Sequence, residues 1–403
     1  MGLSLTNVTP GETRGRPAPP GPRRAFRFPA RGLHSRLLTV HPFGAAISLF
    51  VHSEQPTSGH ATRRSWGSGL GLTRLLLLLC SLSARGAQLK RYEYSLPRMG
   101  TIFHIELYAP DDATASKAAE AAFARAEELE QIMSDYREDS ELMRLAREGA
   151  RAPLPASNDL YEVLAKSIRI SELSRGAFDV TIGPLVALWR EARTTGRFPD
   201  ASDLAKAKAL VDYKNIELDP TRRTVFLKRA GMRLDLGAIG KGYAADQMLA
   251  LLQKRGLRRA MVVAGGEVAI GAPPPGESGW KVAIDAADSE AGKAPCTLVL
   301  HDAALSTSGD SKQFVEINGK RYSHVIDPFT GVALEGMGST TVLARDATTT
   351  DALGTALSIL PVVDGIRLAE SLPGVAVYMV RKSENGWKRY SSRGFPESCL
   401  GRN

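Results

Sequence analysis

The fold of this chain is decided by one stretch, Leu234-Asp-Leu-Gly-Ala-Ile-Gly-Lys-Gly-Tyr-Ala-Ala-Asp246. A short apolar segment, predicted as a strand, ends at Asp235, and a turn with closely spaced glycines follows. From Ile239 the apolar spacing predicts a helix that runs to about Arg255, where a glycine stops it. The free backbone N–H groups at the start of such a helix, together with Lys241, make a natural binding site for phosphate. Glycine-rich turns between strands and helices are common, so this stretch alone does not indicate a function. It becomes specific only together with the other motifs of the chain.

The N-terminal part of the chain carries most of its charge. The 403 residues have a formal net charge of +9, and residues 1–74, with ten Arg, no Lys and two acidic residues, account for +8 of it. The remaining 42 basic and 41 acidic side chains nearly cancel. Because the body of the protein is almost neutral, we expect no basic groove and no nucleic acid as a partner.

The first 89 residues differ from the rest of the chain. Residues 1–74 hold eight prolines and show no sustained periodicity, which is typical of disorder or of sequence outside the folded protein. The apolar run Leu75–Leu82 follows Arg74 and leads into small residues, as in a signal peptide; a buried core helix is the alternative. We therefore predict a signal peptide at about residues 70–87, inside an extension (1–89) that is disordered or arises from a start site chosen too far upstream.

This signal predicts an exported, periplasmic protein. Cys80 offers a site for lipid attachment, and hence for attachment to the inner membrane, although the bulky Leu79 before it is unlike the usual cleavage site. Cys296 and Cys399 could pair in an oxidising compartment. Two distant cysteines define no disulfide framework, however, so we expect both to be buried and unpaired.

Beyond the extension, the sequence predicts a single domain over residues 90–390. The predicted helices span residues 113–133, 141–147, 158–174, 184–189, 201–210, 239–255, 350–360 and 363–371. The predicted strands span residues 92–96, 101–108, 215–218, 224–228, 233–236, 259–263, 268–270, 279–284, 297–300, 313–317, 339–343 and 375–380. Because neighbouring strands are mostly joined by short turns, we predict an α+β fold with mainly antiparallel sheets flanked by helices.

Six further clusters of distinctive residues accompany the opening stretch. They are Met99–Thr101, Asp135–Glu141, Gly176–Leu185, Ala264–Glu267, Ser306–Asp310 leading to Arg321–Gly331, and Thr350–Ala356. In type and order, these clusters and the opening stretch resemble the ApbE family, the FAD:protein FMN transferases. The resemblance covers about residues 90–380.

The resemblance implies an enzyme that binds FAD with Mg²⁺, cleaves the pyrophosphate and attaches FMN through its phosphate to a threonine of an acceptor protein, while AMP leaves. The partners that it implies are FAD and membrane-associated flavoprotein subunits of respiratory or electron-transfer complexes. The positions that correspond to FAD contacts are Met99, Tyr136, Ala177, Phe178, Asp179, Asp235, Lys241 and Ile326. The metal positions are Ala238, through its carbonyl, Asp351 and Thr355, and His324 matches the histidine proposed to activate the acceptor hydroxyl.

The chemistry of these residue types agrees with the implied roles. Asp351 and Thr355 are four residues apart on a predicted helix and so share a face, and Mg²⁺ prefers such hard oxygen ligands. The alternative makes Asp351 a helix N-cap and Thr355 a packed residue. We place His324 in a turn, where an imidazole that titrates near neutrality would suit proton abstraction; the alternative is a structural histidine.

Three of the implied FAD contacts also have structural interpretations. Tyr136 could stack on a flavin or adenine ring, or it could anchor its loop as a half-buried aromatic side chain. Asp179 could instead cap a turn, and Asp235 could hold the turn that follows it by accepting from its own backbone.

Two other functions compete with transfer. The same Mg–FAD site with water as nucleophile would make the protein an FAD pyrophosphatase that releases FMN and AMP, and the sequence does not separate this from the transferase. A non-catalytic flavin-binding protein would require loss of the metal ligands, yet Asp351 and Thr355 are both present.

Overall fold

The computed structural model describes residues 88–284, 296–309, 314–336 and 338–399. The extension, the predicted signal peptide and Cys80 lie outside the described residues. Among the described residues, no helix combines the length and the apolar character that a membrane span requires.

Antiparallel sheets dominate the described part of the chain. Its strands are β1 (Lys90–Arg98), β2 (Thr101–Ala109), β3 (Leu154–Pro155), β4 (Ile216–Asp219), β5 (Thr224–Leu227), β6 (Ala260–Ala264), β7 (Glu267–Ile270), β8 (Trp280–Ile284), β9 (Cys296–Leu300), β10 (Ala303–Gly309), β11 (Phe314–Ile317), β12 (Lys320–Ile326), β13 (Ala333–Glu335), β14 (Gly338–Ala344), β15 (Ala376–Ser383) and β16 (Gly386–Ser391). The main sheet has eight strands in the order β1-β2-β6-β7-β10-β14-β15-β16, and smaller sheets are formed by β11-β12-β13, by β3-β5-β4 and by β8-β9. All of these pairings are antiparallel, which confirms the predicted α+β class.

The helices of the described residues begin close to where the sequence predicts. They are α1 (Asp112–Met133), α2 (Glu141–Glu148), α3 (Asn158–Leu173), α4 (Gly183–Thr195), α5 (Ala201–Lys208), α6 (Gly240–Lys254), α7 (Ala347–Ile359) and α8 (Val362–Ser371). Short polar side chains cap several N-termini; Asp111, for example, accepts a hydrogen bond from the backbone N–H of Thr114 at the start of α1. Helix α6, predicted from the opening stretch, is followed by Gly256, which adopts a positive φ of 85°.

The main sheet is buried on both faces at its centre. In β6, Val262 and Ala264 belong to the larger hydrophobic cluster, whereas Met261 and Val263 belong to a second cluster. The alternation follows from the two-residue period of a strand. Helices α1, α6 and α7 pack on the first face. The β8–β9 pair and the C-terminal turn that carries Cys399 pack on the second.

The structure corrects two predictions about elements. The segment 233–236 is not a strand; Asp235 instead donates its backbone N–H to the carbonyl of Val180, with an N···O distance of 2.8 Å. Strands β3, β10, β12, β13 and β16 were not predicted; β3 is only two residues long, and small, polar and charged residues interrupt the apolar alternation in the other four. His324 therefore lies in β12 rather than in a turn.

The prediction that both domain cysteines are unpaired is also wrong. Cys296, at the start of β9, and Cys399 form a disulfide with a Cα–Cα distance of 5.1 Å across 103 residues of chain. Both cysteines meet at the second hydrophobic cluster. Because only the folded packing brings them together, their spacing in sequence does not reveal the bond.

Candidate active site

A cavity of about 670 Å³ lies where the loop after α1, the helices α4, α6 and α7, and strand β12 meet. Its volume falls within the roughly 300–1,000 Å³ typical of small-molecule sites. The structure brings all of the residues singled out from the sequence to its lining. These are Met99, Tyr136, Ala177, Phe178, Asp179, Asp235, Ala238, Lys241, His324, Ile326, Asp351 and Thr355.

Lys241 is surrounded by oxygen atoms in this cavity. Its Nζ donates to the carbonyl of Gly237 at 2.6 Å and lies 3.7 Å from both Glu267 Oε1 and Asp351 Oδ2. Burial lowers the pKa of Lys241, but the carboxylates of Asp351 and Glu267 more than offset this, so that its pKa is raised. Burial, with a further contribution from Asp351, raises the pKa of Glu267 to about 8. Glu267 belongs to the Ala264–Glu267 cluster, but its sequence context predicted no role for it.

The close approach of α6 and α7 fixes the position of Asp351. The backbone N–H of Gly242 donates to Asp351 Oδ2 at 3.0 Å. A Cβ at Gly242 would lie 2.1 Å from the carbonyl oxygen of Ala347, so only glycine fits here. One helical turn further on, Asp246 accepts from the backbone N–H groups of Ala347 and Thr348, both at 2.8 Å. The end of the opening stretch therefore holds the N-terminus of α7, a role that was not predicted for Asp246.

The oxygen donors at the predicted metal positions fit Mg²⁺. Asp351 is not the N-cap of α7, because Asp346 occupies that position. Asp351 and Thr355 instead both line the cavity from α7, and Ala238 lines the same cavity. A carboxylate, a hydroxyl and a carbonyl are hard donors that phosphate oxygens can complete. Among the described residues, no group of three or more His, Cys, Asp and Glu side chains could hold a metal by itself.

Arg190, which was not predicted as a site residue, connects two walls of the cavity. Its Nη1 donates to Asp135 Oδ2 at 2.5 Å, and its Nη2 donates to Asp235 Oδ2 at 3.1 Å. Its Cζ lies 4.1 Å from the centre of the Tyr136 ring. The predicted helix ended at residue 189, one position too early, whereas α4 continues to Thr195 and carries the guanidinium into the cavity.

Two of the predicted FAD contacts also hold the backbone. Asp179 accepts from the backbone N–H groups of Thr181 and Tyr213, both at 2.8 Å. Asp235 accepts from the N–H of Gly237, also at 2.8 Å. Burial raises the pKa of each of the two carboxyl groups, and for Asp235 the nearby Asp135 raises it further. The turn-holding interpretation of both residues is thus correct, and any contact with a ligand adds to it.

Met99 reaches the cavity from a turn, whereas His324 reaches it from a strand. Met99 has a φ of 47° and Gly100 a φ of 73°, so they form the two-residue turn between β1 and β2. His324 is half-buried in β12, and the pairing of β12 with β13 is irregular between Tyr322 and Ile326, on either side of it. Both side chains line the cavity.

Comparison with known proteins identifies the family of this chain. The family model of the ApbE family matches residues 99–379. An FAD:protein FMN transferase of Haemophilus influenzae is 32% identical over 325 residues, which cover 78% of this chain and 93% of the relative. One from Vibrio cholerae is 32% identical over 337 residues, or 82% of this chain and 98% of the relative.

Solved structures give the same result. The flavin transferase ApbE from Vibrio cholerae superposes with a TM-score of 0.69 at 31% identity, covering 76% of this chain and 98% of its own. The apo form of the Pseudomonas stutzeri flavinyl transferase ApbE gives a TM-score of 0.68 at 28% identity, with 78% and 98% covered.

Proposed function

Since the chain belongs to the ApbE family and is an FAD:protein FMN transferase, we propose that it uses Mg²⁺ to transfer FMN from FAD to a threonine hydroxyl of an acceptor flavoprotein, with release of AMP. The observation that carries this proposal is the convergence of a lysine, hard oxygen donors and a histidine on one cavity. The acceptors that we propose are subunits of respiratory or electron-transfer complexes.

The start of α6 is the site that we propose for the pyrophosphate of FAD. The N–H groups of Gly240 and Gly242 in the first turn already donate to the carbonyl of Leu236 and to Asp351 Oδ2, so it is the positive end of the helix dipole that favours phosphate here. Lys241 lies in the first turn of the helix and brings a positive charge to the same place. Tyr136, whose side chain is largely exposed, offers a flat surface to one of the ring systems of FAD.

Asp351, Thr355 and the carbonyl of Ala238 are the residues that would hold Mg²⁺. When bound, the ion neutralises charge on the dividing pyrophosphate, which is worth several kcal/mol in such reactions. The buried carboxylate of Asp351 is already held by the N–H of Gly242, so its orientation needs little adjustment on binding.

The transfer step exchanges one P–O bond for another. The acceptor threonine oxygen forms a bond to the phosphorus of the FMN half, and the bond from that phosphorus to the oxygen shared with the AMP half breaks. AMP leaves with that oxygen. The hydroxyl proton of the threonine passes to an imidazole nitrogen of His324, which lines the same cavity.

The runner-up function uses the same site with water as the nucleophile. A hydrolase would release free FMN and AMP and would need no acceptor. Because metal, lysine and FAD contacts would be the same in both reactions, only the nucleophile separates them.

Product analysis tests the proposal directly. The purified protein is incubated with Mg–FAD, with and without an acceptor domain that carries a target threonine, and the products are separated by mass spectrometry. We expect an acceptor heavier by the mass of FMN less one water, together with an equal amount of AMP. Free FMN without any labelled acceptor would establish the hydrolase instead, and no turnover of FAD in either mixture would contradict both.

Export to the periplasm, with attachment to the inner membrane as one form of it, belongs to the same proposal. The signal-like sequence at residues 70–87 and the Cys296–Cys399 disulfide support it, because such bonds persist mainly in oxidising compartments. Mass spectrometry of the native N-terminus checks it. An intact cytoplasmic protein that starts at Met1 would contradict both export and cleavage.

A further inference from the structure

Three separate segments of the chain meet at the guanidinium of Arg190. The loop between α1 and α2 contributes Asp135 and Tyr136, the segment before α6 contributes Asp235, and α4 contributes the arginine. The two carboxylates are mostly buried, with 17% and 12% of their side chains exposed. Each of the three segments also lines the cavity, so the contacts of Arg190 fix the relative positions of its walls.

Tyr136 has an unusual environment for a large aromatic side chain. It is 77% exposed and lies outside the hydrophobic clusters of the described residues. One face of its ring is covered by the guanidinium of Arg190, at 4.1 Å from the ring centre. The ring lines the cavity, and with so much of it exposed the other face is open to a ligand.

We propose that Arg190 is a positioning residue for FAD: it stacks on one face of Tyr136 and thereby presents the other face to a ring of the substrate. This rests on the proposed function, because it takes FAD as the occupant of the cavity. A guanidinium can stack its plane on an aromatic ring while its N–H groups bind two carboxylates, which an ammonium group cannot do. Holding the ring in its binding position before FAD arrives lowers the entropy lost on binding.

The ion pairs of Arg190 extend its effect to the phosphate end of the cavity. Asp235 Oδ2 accepts from Arg190, while Asp235 Oδ1 accepts from the N–H of Gly237, whose carbonyl in turn accepts from Lys241 Nζ. The stacking surface and the lysine are therefore joined through one carboxylate. Loss of Arg190 should weaken FAD binding by moving both, without removing any atom that takes part in the chemistry.

Equilibrium binding of FAD to the full chain tests the proposal. We expect Arg190→Met to raise the Kd for FAD about tenfold, as loss of a partly desolvated cation–π contact would. Arg190→Lys keeps the positive charge but loses the planar guanidinium that stacks on the ring. It should therefore recover only part of the affinity for FAD. The KM for FAD should rise with the Kd, and kcat for FMN transfer should fall by a smaller factor, because Lys241 is displaced but no reacting group is lost. Arg197→Met, which removes the same charge just beyond α4, is the control and should bind FAD like the unaltered protein.

A double-mutant cycle separates positioning from a merely structural role. Tyr136→Leu removes the exposed ring, and Tyr136→Phe retains it. If Arg190 acts through the ring, Arg190→Lys should weaken FAD binding in the Tyr136→Phe background but add little in the Tyr136→Leu background. Equal effects in both backgrounds, or a lower Tm with an unchanged Kd, would overturn the proposal. Failure of the unaltered protein to bind FAD would instead count against the proposed function.

Discussion

At the scale of single residues, one ammonium group lies between two carboxyl groups in the cavity. Lys241 is equidistant from Glu267 and Asp351, whose side chains are only 7% and 4% exposed. In such a dry environment each charge depends strongly on the other two. Substitutions that keep the size of a side chain and change only its charge therefore give the clearest information about this site.

The first prediction concerns Asp351. Asp351→Asn should abolish most Mg-dependent FAD turnover, because the amide is a weaker ligand for a hard cation, while the fold is kept. Activity and Mn²⁺ binding in the presence of FAD are to be measured against Mg²⁺ and Mn²⁺ concentration. The matched control is Asp346→Asn, the same change at the N-cap of the same helix, which should keep its activity. A folded Asp351→Asn protein with unaltered metal dependence would refute the metal assignment.

His324 gives the second prediction. His324→Ala should bind FAD with unchanged affinity but transfer FMN roughly 10²–10⁴-fold more slowly, the usual effect of losing a general base. FAD affinity and covalent FMN incorporation are to be measured side by side. His301→Ala, which changes an exposed histidine, serves as the control. Loss of FAD binding would make His324 a ligand contact instead, and unchanged transfer would remove it from the mechanism.

The raised pKa of Glu267 predicts a pH-dependent stability difference. An unfolded glutamate ionises near 4.5, whereas burial raises the pKa of Glu267 to about 8 in the folded protein. Between these two values the folded state keeps a proton that the unfolded state has lost, so this group destabilises the protein increasingly as the pH rises. Glu267→Gln should therefore gain in Tm relative to the unaltered protein from pH 4.5 to 8, in buffer with a metal chelator. A constant difference in Tm across this range would show that Glu267 is ionised throughout.

At the scale of elements, the site depends on how α6 meets α7. The backbone N–H of Gly242 contacts Asp351, and one turn later Asp246 binds two N–H groups at the start of α7. Gly242 and Asp246 are four residues apart, so both lie on one face of α6. The contacts of this face fix where α7 lies against α6. They therefore also fix the position of Asp351 relative to Lys241.

This arrangement predicts that Gly242→Ala is damaging. The new Cβ would overlap the carbonyl of Ala347, and separating the helices should cost about 1–3 kcal/mol and displace Asp351. Urea unfolding and the Mg²⁺ dependence of turnover give the two measurements. Gly240→Ala is the control in the same turn, because its Cβ would only touch Met99 Cε at 3.6 Å. Equal stability of the two variants would contradict the close-approach argument.

How far the sequence predicts an element depends on what stabilises it. Helix α6 was predicted almost to the residue, because its apolar spacing and the glycine after it are local signals. Strand β12, Lys-Arg-Tyr-Ser-His-Val-Ile, was missed because it is held in place by its neighbours β11 and β13. Strand β10 is rich in small residues and has no strong local strand signal. It is stabilised by its pairing with β7 on one side and β14 on the other.

The same distinction applies to the candidate site. Residues within motifs, such as Lys241 and Asp351, were found because a resemblance to a family identifies positions one at a time. Arg190 was missed because its role depends on contacts with Asp135, Tyr136 and Asp235, and only tertiary packing brings these residues to it. A helix prediction that ended one residue later would have placed it beside the cavity motifs, but not its partners.

At the scale of the whole molecule, the disulfide joins the second face of the main sheet to the end of the described chain. Cys296 begins β9, and Cys399 belongs to the hydrophobic cluster that covers this face together with Trp280 and Phe395. Val282 and Ala283 of the neighbouring β8 line the cavity. Since β9 begins at Cys296 and pairs with β8, the bond anchors the strand pair that carries these two lining residues.

Breaking this bond should lower the stability of the protein substantially. A cross-link over 103 residues restricts the unfolded chain, and the chain-entropy treatment assigns such a loop about 4–5 kcal/mol. Urea unfolding with and without a thiol reductant measures the difference. The double variant Cys296→Ala/Cys399→Ala should be less stable and insensitive to the reductant. If reductant leaves the unaltered protein unchanged while the cysteines become free thiols, the bond contributes no stability.

The order of strands in the main sheet has a consequence for how the protein is made. From one edge to the other, β1, β2, β6, β7, β10, β14, β15 and β16 follow each other in the same order as along the chain. No strand has to be inserted between two that have already paired. A polypeptide that emerges N-terminus first, from a ribosome or through a narrow translocation pore, can thus add each new strand to the free edge of a growing sheet, so the strand order is compatible with vectorial assembly.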